Sequence, residues 1–138
     1  MGLDMYACTV DLDALTAEQG EQGIDIPIYA IKDKFPGSVD TEFAYWRKFN
    51  HLHGWMRRLY ERKGGTGSFN CDTVRLTSGD LLELRLDALR HDMPPEGGFF
   101  FGAADEFSAD DRREVLEFVD RALDAIEQGK AVFYDSWW

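Results

Sequence analysis

The residues best suited to chemistry lie close together in the first half of the chain. If their segment is helical, Trp46, Asn50, His53 and Arg57 follow one another at i, i+4, i+7 and i+11 and form one row. An amide, an imidazole and a guanidinium in a row could bind a phosphate or a carboxylate, and an imidazole exchanges protons near neutral pH. Together with Arg47, these residues are the candidate ligand-binding site. The alternative is a helix flank on which the indole packs while the polar groups meet water.

Two neighbouring histidines, His51 and His53, raise the question of a metal site. Side chains two positions apart on a helix point in nearly opposite directions, so they cannot bind one ion. No cysteine or acid nearby completes a ligand set, and we predict neither a metal nor another cofactor. A nucleophilic pair of Cys71 and His53 rests on composition alone. The sequence therefore assigns no catalytic residue, and it leaves open whether the protein is an enzyme.

A second group of candidates is a run of acids near the end of the chain. They fall in a predicted helix, where a solvated face is the usual explanation. The sharper hypothesis is a surface that imitates nucleic-acid phosphates and occupies a basic groove on another protein, since such a field would speed association. The candidate partner-binding residues are Asp110, Asp111, Glu114, Glu117, Asp120 and Asp124.

Charge is unevenly placed along the chain. Residues 43–63 carry six basic side chains and one acid, whereas the rest of the chain has a net charge of −16, which gives −11 in total. Direct binding to nucleic acid is disfavoured, because phosphates would meet a repulsive field. A local basic helix could still bind an anion, or it could pair with acidic neighbours inside the fold.

Size and composition limit the class of protein. The 138 residues fit one domain, covering 1–138. No run approaches the roughly 18 apolar residues that span a bilayer, and acids interrupt the first apolar stretch, so we expect no leader and no membrane partner. The natural location is the cytoplasm, where Cys8 and Cys71 would be free thiols.

Apolar periodicity predicts the order β, β, α, a short β, α, β, α, β. Strands are predicted over 3–10, 24–31, 71–76, 99–101 and 131–137, with a loop over 11–23. Helices are predicted from Ser38 or Asp40 to about Lys63, from Thr77 or Ser78 to Pro94, and from a capping box of Ser108 and Asp111 to Gly129.

Three amphipathic helices need a shared surface, and an antiparallel sheet supplies one. The predicted fold is therefore α+β, with an antiparallel sheet of about four strands and three amphipathic helices packed mainly on one face. The second helix is expected to bury Leu82, Leu86, Leu89 and Met93, and Trp137 is expected to dock on the fold.

Several landmarks occur together along almost the whole chain. They are the opening Met-Gly-Leu-Asp-Met-Tyr, the segment Tyr45-Trp-Arg-Lys-x-Asn50-x-x-His53-x-Trp55, the Phe-Phe-Phe-Gly at 99–102 and the Trp-rich end. As a set they resemble an uncharacterised family of small bacterial and phage-encoded proteins. The resemblance implies no mechanism. It implies a phage or mobile-element setting, with any ligand site at Trp46, Arg47, Asn50 and His53.

The leading functional hypothesis is a non-enzymatic phage or mobile-element accessory protein that binds a host protein or protein complex in the host cytoplasm. Its acidity suggests an inhibitor of a nucleic-acid-binding defence complex, which makes it an anti-CRISPR candidate. The alternative is a small-ligand or nucleotide-binding protein, with hydrolysis among its activities, built on the first long helix. A homodimer is a third hypothesis, which depends on whether the aromatic tail is buried between chains.

Overall fold

A computed structural model describes residues 2–95 and 106–138. The strands are β1 (Asp4–Asp11), β2 (Val39–Arg47), β3 (Val74–Leu76) and β4 (Lys130–Trp137). The helices are α1 (Ala17–Glu21), α2 (Ile28–Lys34), α3 (Asn50–Arg62), α4 (Ser78–Leu89) and α5 (Ala109–Glu127), with short 3₁₀ turns at Leu12–Ala14 and Pro36–Ser38. The predicted strand at 99–101 lies outside the described residues.

The four strands form one antiparallel sheet in the order β2-β1-β4-β3, which confirms the predicted α+β class. β1, β3 and β4 match the strands predicted over 3–10, 71–76 and 131–137. The two central strands are β1 and β4, and in their register Tyr6 lies opposite Asp135. β2 and β3 are the edges of this sheet as far as residues 2–95 and 106–138 show, and the outer side of β3 is met by the isolated bridge between Ile24 and Val74.

The two faces of the sheet bury different side chains. Alternate residues of β1 such as Met5 and Ala7 join the larger core, to which α3, α4 and α5 contribute their buried side chains. The other alternate residues of β1, such as Cys8, join Phe133 of β4 in a smaller cluster with Ile28 and Ile31 of α2. Because side chains alternate across a strand, each central strand supplies both cores.

The prediction of one continuous helix from Ser38 or Asp40 to Lys63 is wrong. Its first part is the edge strand β2, which pairs with β1 over Val39–Arg47. Lys48 then adopts a positive φ of 55° and donates its N–H to the carbonyl of Leu3 at 2.8 Å, which ends the strand. Tyr45 and Phe49 matched the helical spacing by coincidence, and the alternating aromatic residues of this segment favour a strand once β1 offers a ladder.

The prediction of a strand over 24–31 is also wrong. Ile24 alone forms a bridge, to Val74. Asp25 follows with a φ of 57°, which breaks the extended run, and α2 begins after Pro27. The loop predicted over 11–23 contains the 3₁₀ turn and α1, which a reciprocal capping box of Thr16 and Gln19 starts.

The starts of the two later helices agree with the sequence. Thr77 with Asp80 caps α4, and Ser108 with Asp111 caps α5, each pair forming both bonds of the capping box. Gly129 follows α5 with a φ of 86°, a conformation that glycine adopts at low cost. α4 ends at Leu89, earlier than predicted.

The predicted buried side of α4 is wrong for its three leucines. Leu82, Leu86 and Leu89 are 47%, 48% and 51% exposed, although Met93 beyond the helix is buried as expected. The residues that α4 buries are Leu81, Leu84 and Ala88. Apolar side chains lie on two sides of this helix, so spacing alone does not choose between them.

The free edge of β2 is partly occupied by α5. Arg121 donates from Nη2 to the carbonyl oxygen of Phe43 at 2.5 Å, and its guanidinium lies 4.5 Å from the centre of the Phe43 ring. One backbone acceptor of the edge strand is therefore satisfied by a side chain of the same protein.

Candidate functional site

The structure separates the predicted row of ligand-binding residues. Trp46 lies on β2, is 9% exposed and meets the ring of Phe118 edge to face at 4.9 Å between centroids. Arg47 is exposed at the end of the same strand, in register with Asp4. Trp46 lies on a strand, whereas Asn50, His53 and Arg57 lie on α3, which begins at Asn50. The predicted row on one helix face is therefore wrong.

His53 lies in the first turn of α3 and has no exposed surface. Its Nδ1 is 2.7 Å from the hydroxyl oxygen of Tyr134, which is also fully buried, and Phe69 packs beside the imidazole. Burial, and to a lesser extent the charge of Arg57, lowers the pKa of His53 to about 4. The imidazole is therefore neutral at pH 7 and forms part of the core.

The other two members of the row are also engaged in the fold. Asn50 is 4% exposed at the start of α3. Arg57 donates from Nε to Glu61 Oε1 at 3.1 Å, one turn further along α3. Of the predicted ligand-binding set, Arg47 alone is classed as exposed, so these side chains do not build a concave anion site together.

The predicted acidic face exists on α5. Asp110, Glu114, Glu117, Asp120 and Asp124 are exposed, while the buried side of the helix packs in the core. Asp111 is half-buried because it caps the helix through Ser108.

Three of these acids have polar partners in the described structure. Asp110 pairs with Arg113 at 2.8 Å, Asp120 pairs with Arg85 at 2.6 Å, and Asp124 accepts from Gln128 at 3.1 Å. Neither Glu114 nor Glu117 has an ion pair with any residue among 2–95 and 106–138.

α4 and α5 lie side by side and run in opposite directions. Arg85 of α4 reaches Asp120 of α5, and His91 beyond α4 reaches Arg112 nearer the start of α5, at 2.8 Å. The exposed leucines of α4 therefore lie beside the acidic face of α5. We define the α4–α5 surface as Leu82, Leu86, Leu89, Glu117, Asp120 and Asp124.

Sequence reasoning found half of this surface. The acids were recognised from their charge, but the leucines were assigned to the core because their spacing fits a buried stripe. The missed signal is that α4 has apolar residues on two sides, which are more than a single buried face requires. This excess indicates that some of its leucines are exposed.

The aromatic tail is divided differently from the prediction. Trp137 is 64% exposed, so the expectation that it docks is wrong. Trp138 folds back instead, donating from Nε1 to the carbonyl oxygen of Phe69 at 3.0 Å and exchanging two hydrogen bonds with Asn70. The alternation of β4 places Trp137 on the same face as Asp135, away from the larger core.

Cys8 and Cys71 are free thiols, as predicted, the first buried and the second exposed. Within 2–95 and 106–138, no cluster of three or more histidine, cysteine or acidic side chains could bind a metal ion. None of the helices in that part of the chain has the length and apolar character needed to cross a membrane.

Comparison with models of known protein families finds no match, and comparisons with curated proteins and with solved structures find no significant similarity.

Proposed function

We propose that this protein acts by binding, without catalysis, and that the α4–α5 surface docks on a basic partner protein. One observation carries the proposal: three half-exposed leucines at helical spacing lie beside a helix whose outer face is lined with carboxylates. Protein interfaces combine an apolar centre with a polar rim in this way.

The two halves of the surface have different roles in binding. Fully burying an exposed leucine contributes about 1.5–3 kcal/mol. Leu82, Leu86 and Leu89 are already half-buried, so each would supply roughly half of that to affinity. The carboxylates of α5, in a chain of net charge −11, attract a basic partner and orient it during encounter. Since α5 is anchored by Val115, Val119 and other buried residues, its carboxylates are presented on a rigid element.

The resemblance to bacterial and phage-encoded proteins suggests the setting. A basic groove that normally binds nucleic-acid phosphates is the partner surface most complementary to a row of carboxylates. The specific proposal is therefore an inhibitor of a host nucleic-acid-binding complex, such as a defence complex. This function is favoured over a ligand site on α3, because His53 is buried and Arg57 is paired with Glu61.

The test is capture from a bacterial lysate at low and high salt, followed by measurement of direct binding to the purified partner. Leu86→Ala should weaken binding about tenfold or more, while Leu12→Ala, which alters an equally exposed leucine elsewhere, should have no effect. The double variant Glu117→Gln/Asp124→Asn should slow association and reduce its salt dependence. Asp13→Asn/Glu21→Gln changes the net charge equally at exposed sites and is the matched control.

Two results would contradict the proposal. One is a partner whose affinity responds equally to the test and control variants. The other is self-association in analytical ultracentrifugation that Leu86→Ala abolishes, because a second copy of the chain would then cover the leucines.

A further inference from the structure

A pocket of about 630 Å³ lies on the second face of the sheet, away from the α4–α5 surface. Its polar and aromatic walls come from Tyr6 of β1, Tyr29 of α2, Asp135 and Trp137 of β4, and Cys71 of the loop before β3. The volume falls within the range of small-molecule sites.

The charge of this pocket has one sign. Asp135 is half-buried, and among the described residues that line the pocket none is a lysine, an arginine or a histidine. None of the ion pairs in the described ranges, 2–95 and 106–138, includes Asp135. Its Oδ1 accepts a hydrogen bond from the backbone N–H of Ser136 at 2.7 Å.

Two other polar side chains of the pocket, Thr73 and Ser136, already form hydrogen bonds within the fold. Thr73 forms hydrogen bonds with the backbone of Ile26 at 2.7 and 3.2 Å, and Ser136 donates to the carbonyl of Phe69 at 3.1 Å. Asp135 is therefore the group best placed to select a ligand by charge.

Aromatic rings surround this carboxylate. In the strand register Tyr6 lies directly opposite Asp135, and Tyr6 also contacts Tyr45, with 5.3 Å between ring centroids. Tyr29 and Trp137 are 62% and 64% exposed, so their rings border the opening and remain accessible. Electron-rich ring faces attract cations, and substituted ammonium groups are the ligands that such arrangements recognise.

We propose that this pocket binds a small organic cation with a substituted ammonium group, which pairs with Asp135 and contacts the rings of Tyr6, Tyr29 and Trp137. A phosphate or carboxylate ligand would meet the carboxylate of Asp135 and, among the described lining residues, no cation. A neutral apolar ligand would leave that carboxylate desolvated and unpaired, which is costly. A divalent metal would find one acidic side chain among the lining residues.

The experiment compares choline with dimethylbutanol, its uncharged carbon analogue, by isothermal titration calorimetry and NMR. Tetramethylammonium is titrated as a second cation. The ammonium ligands should bind about tenfold or more tightly than the neutral analogue, because the ligand charge provides both the ion pair and the ring contacts.

Variants locate the site. Asp135→Asn should weaken choline binding about tenfold or more, whereas Asp33→Asn removes an exposed charge from α2 outside the pocket and should leave the affinity unchanged. Tyr29→Ala should also weaken binding, and Phe35→Ala, at another exposed aromatic residue, should not. Circular dichroism establishes that each variant is folded.

Equal binding of choline and dimethylbutanol would overturn the proposal, as would equal losses in Asp135→Asn and Asp33→Asn. Failure of both cations to bind would overturn it too. Binding of a trimethyllysine peptide in place of either small cation would overturn the assignment to a small molecule. None of these outcomes bears on the α4–α5 surface, because the two sites share no residue.

Discussion

A 2.7 Å hydrogen bond joins Nδ1 of His53 to the hydroxyl of Tyr134, and neither side chain has exposed surface. A polar pair at this depth must be satisfied internally, since a buried group that loses its partner keeps its desolvation penalty. The bond therefore ties the first turn of α3 to the central strand β4.

Replacing Tyr134 with Phe should lower the free energy of unfolding by about 1–3 kcal/mol, because the imidazole nitrogen loses its partner. Urea unfolding monitored by circular dichroism measures the change. Phe133→Leu alters an adjacent buried ring without a hydroxyl and serves as a control for packing. A Tyr134→Phe protein as stable as the wild type would show that the bond contributes nothing to stability.

The same pair predicts a pH dependence. In the folded protein the pKa of His53 is about 4, below its ordinary value of 6.5, so the unfolded state binds more protons between these values. Stability from neutral His53 is therefore present above pH 6.5 and is lost as the pH falls towards 4, by at most about 1.4 kcal/mol per pH unit. His53→Gln should remove this dependence of stability on pH. The measurement is the slope of the unfolding free energy against pH, and both proteins carry Asp135→Asn because Asp135 also titrates in this range.

The titration of Asp135 changes stability with pH in the direction opposite to that of His53. Burial, chiefly, and the charge of Asp72 raise its pKa from 3.8 to about 6, although the Ser136 N–H opposes the shift. The folded state then binds more protons between those values, so this group's stabilising contribution is lost as the pH rises through 6. The titratable groups around Asp135 are Tyr6, Cys8, Tyr29, Cys71, Asp72 and Tyr134.

At pH 7, Asp135→Asn should therefore raise the free energy of unfolding, by up to about 2 kcal/mol after allowance for solvent screening. At pH 4 the gain should vanish, because wild-type Asp135 is then protonated. Thermal unfolding at the two pH values measures the difference. A gain of equal size at both would contradict the assigned pKa.

The capping boxes of α4 and α5 offer a matched comparison between Asp80 and Asp111. Both bond the backbone of their cap residue, but Asp80 also receives the Lys63 ammonium at 2.5 Å. Burial alone would raise the pKa of Asp80, but the hydrogen bonds from Lys63 and Thr77 lower it overall.

Asp80→Asn should therefore cost more stability than Asp111→Asn, by about 1–2 kcal/mol, because only the first also releases a partly buried ammonium. Denaturant unfolding of the two variants in parallel measures this difference. Equal losses would mean that the contact with Lys63 is energetically neutral.

The exposure of the α4 leucines predicts a contrast within one helix. Leu84→Ala should destabilise the protein by about 2–5 kcal/mol, since Leu84 is fully buried in the core. Leu86→Ala should change stability by about 0.5 kcal/mol or less, because its side chain is half in water. Similar losses in both variants would place Leu86 in a buried environment and remove the apolar half of the α4–α5 surface.

Prediction from sequence succeeded where the local signals were unambiguous. The alternation of β1 and β4 and the capping box of Ser108 and Asp111 each indicate one structure, and these predictions were correct. For α4 the sequence offered Thr77 or Ser78 as the cap, and the structure has Thr77. It failed in the segment containing Tyr45 and Phe49, where aromatic spacing fitted a helix while the pairing partner of the strand lay about forty residues away in β1.

The candidate sites were less accessible to sequence reasoning than the fold. The acidic face of α5 can be predicted from the charge of its residues. The spacing of apolar residues in α4 does not determine which of its two apolar sides faces the core. The pocket around Asp135 joins β1, α2 and β4, and only the strand register brings Tyr6 and Asp135 together.

The contact of Arg121 with Phe43 bears on how copies of this protein behave at high concentration. A nine-residue edge strand invites another chain to extend the sheet, which is how many proteins begin to form fibrils. Here the guanidinium occupies one of the carbonyls that an incoming strand would need, and the exposed charges of Asp40 and Glu42 repel a second acidic copy. We therefore expect β2 to be extended by a second copy less readily than an uncovered edge strand of the same length.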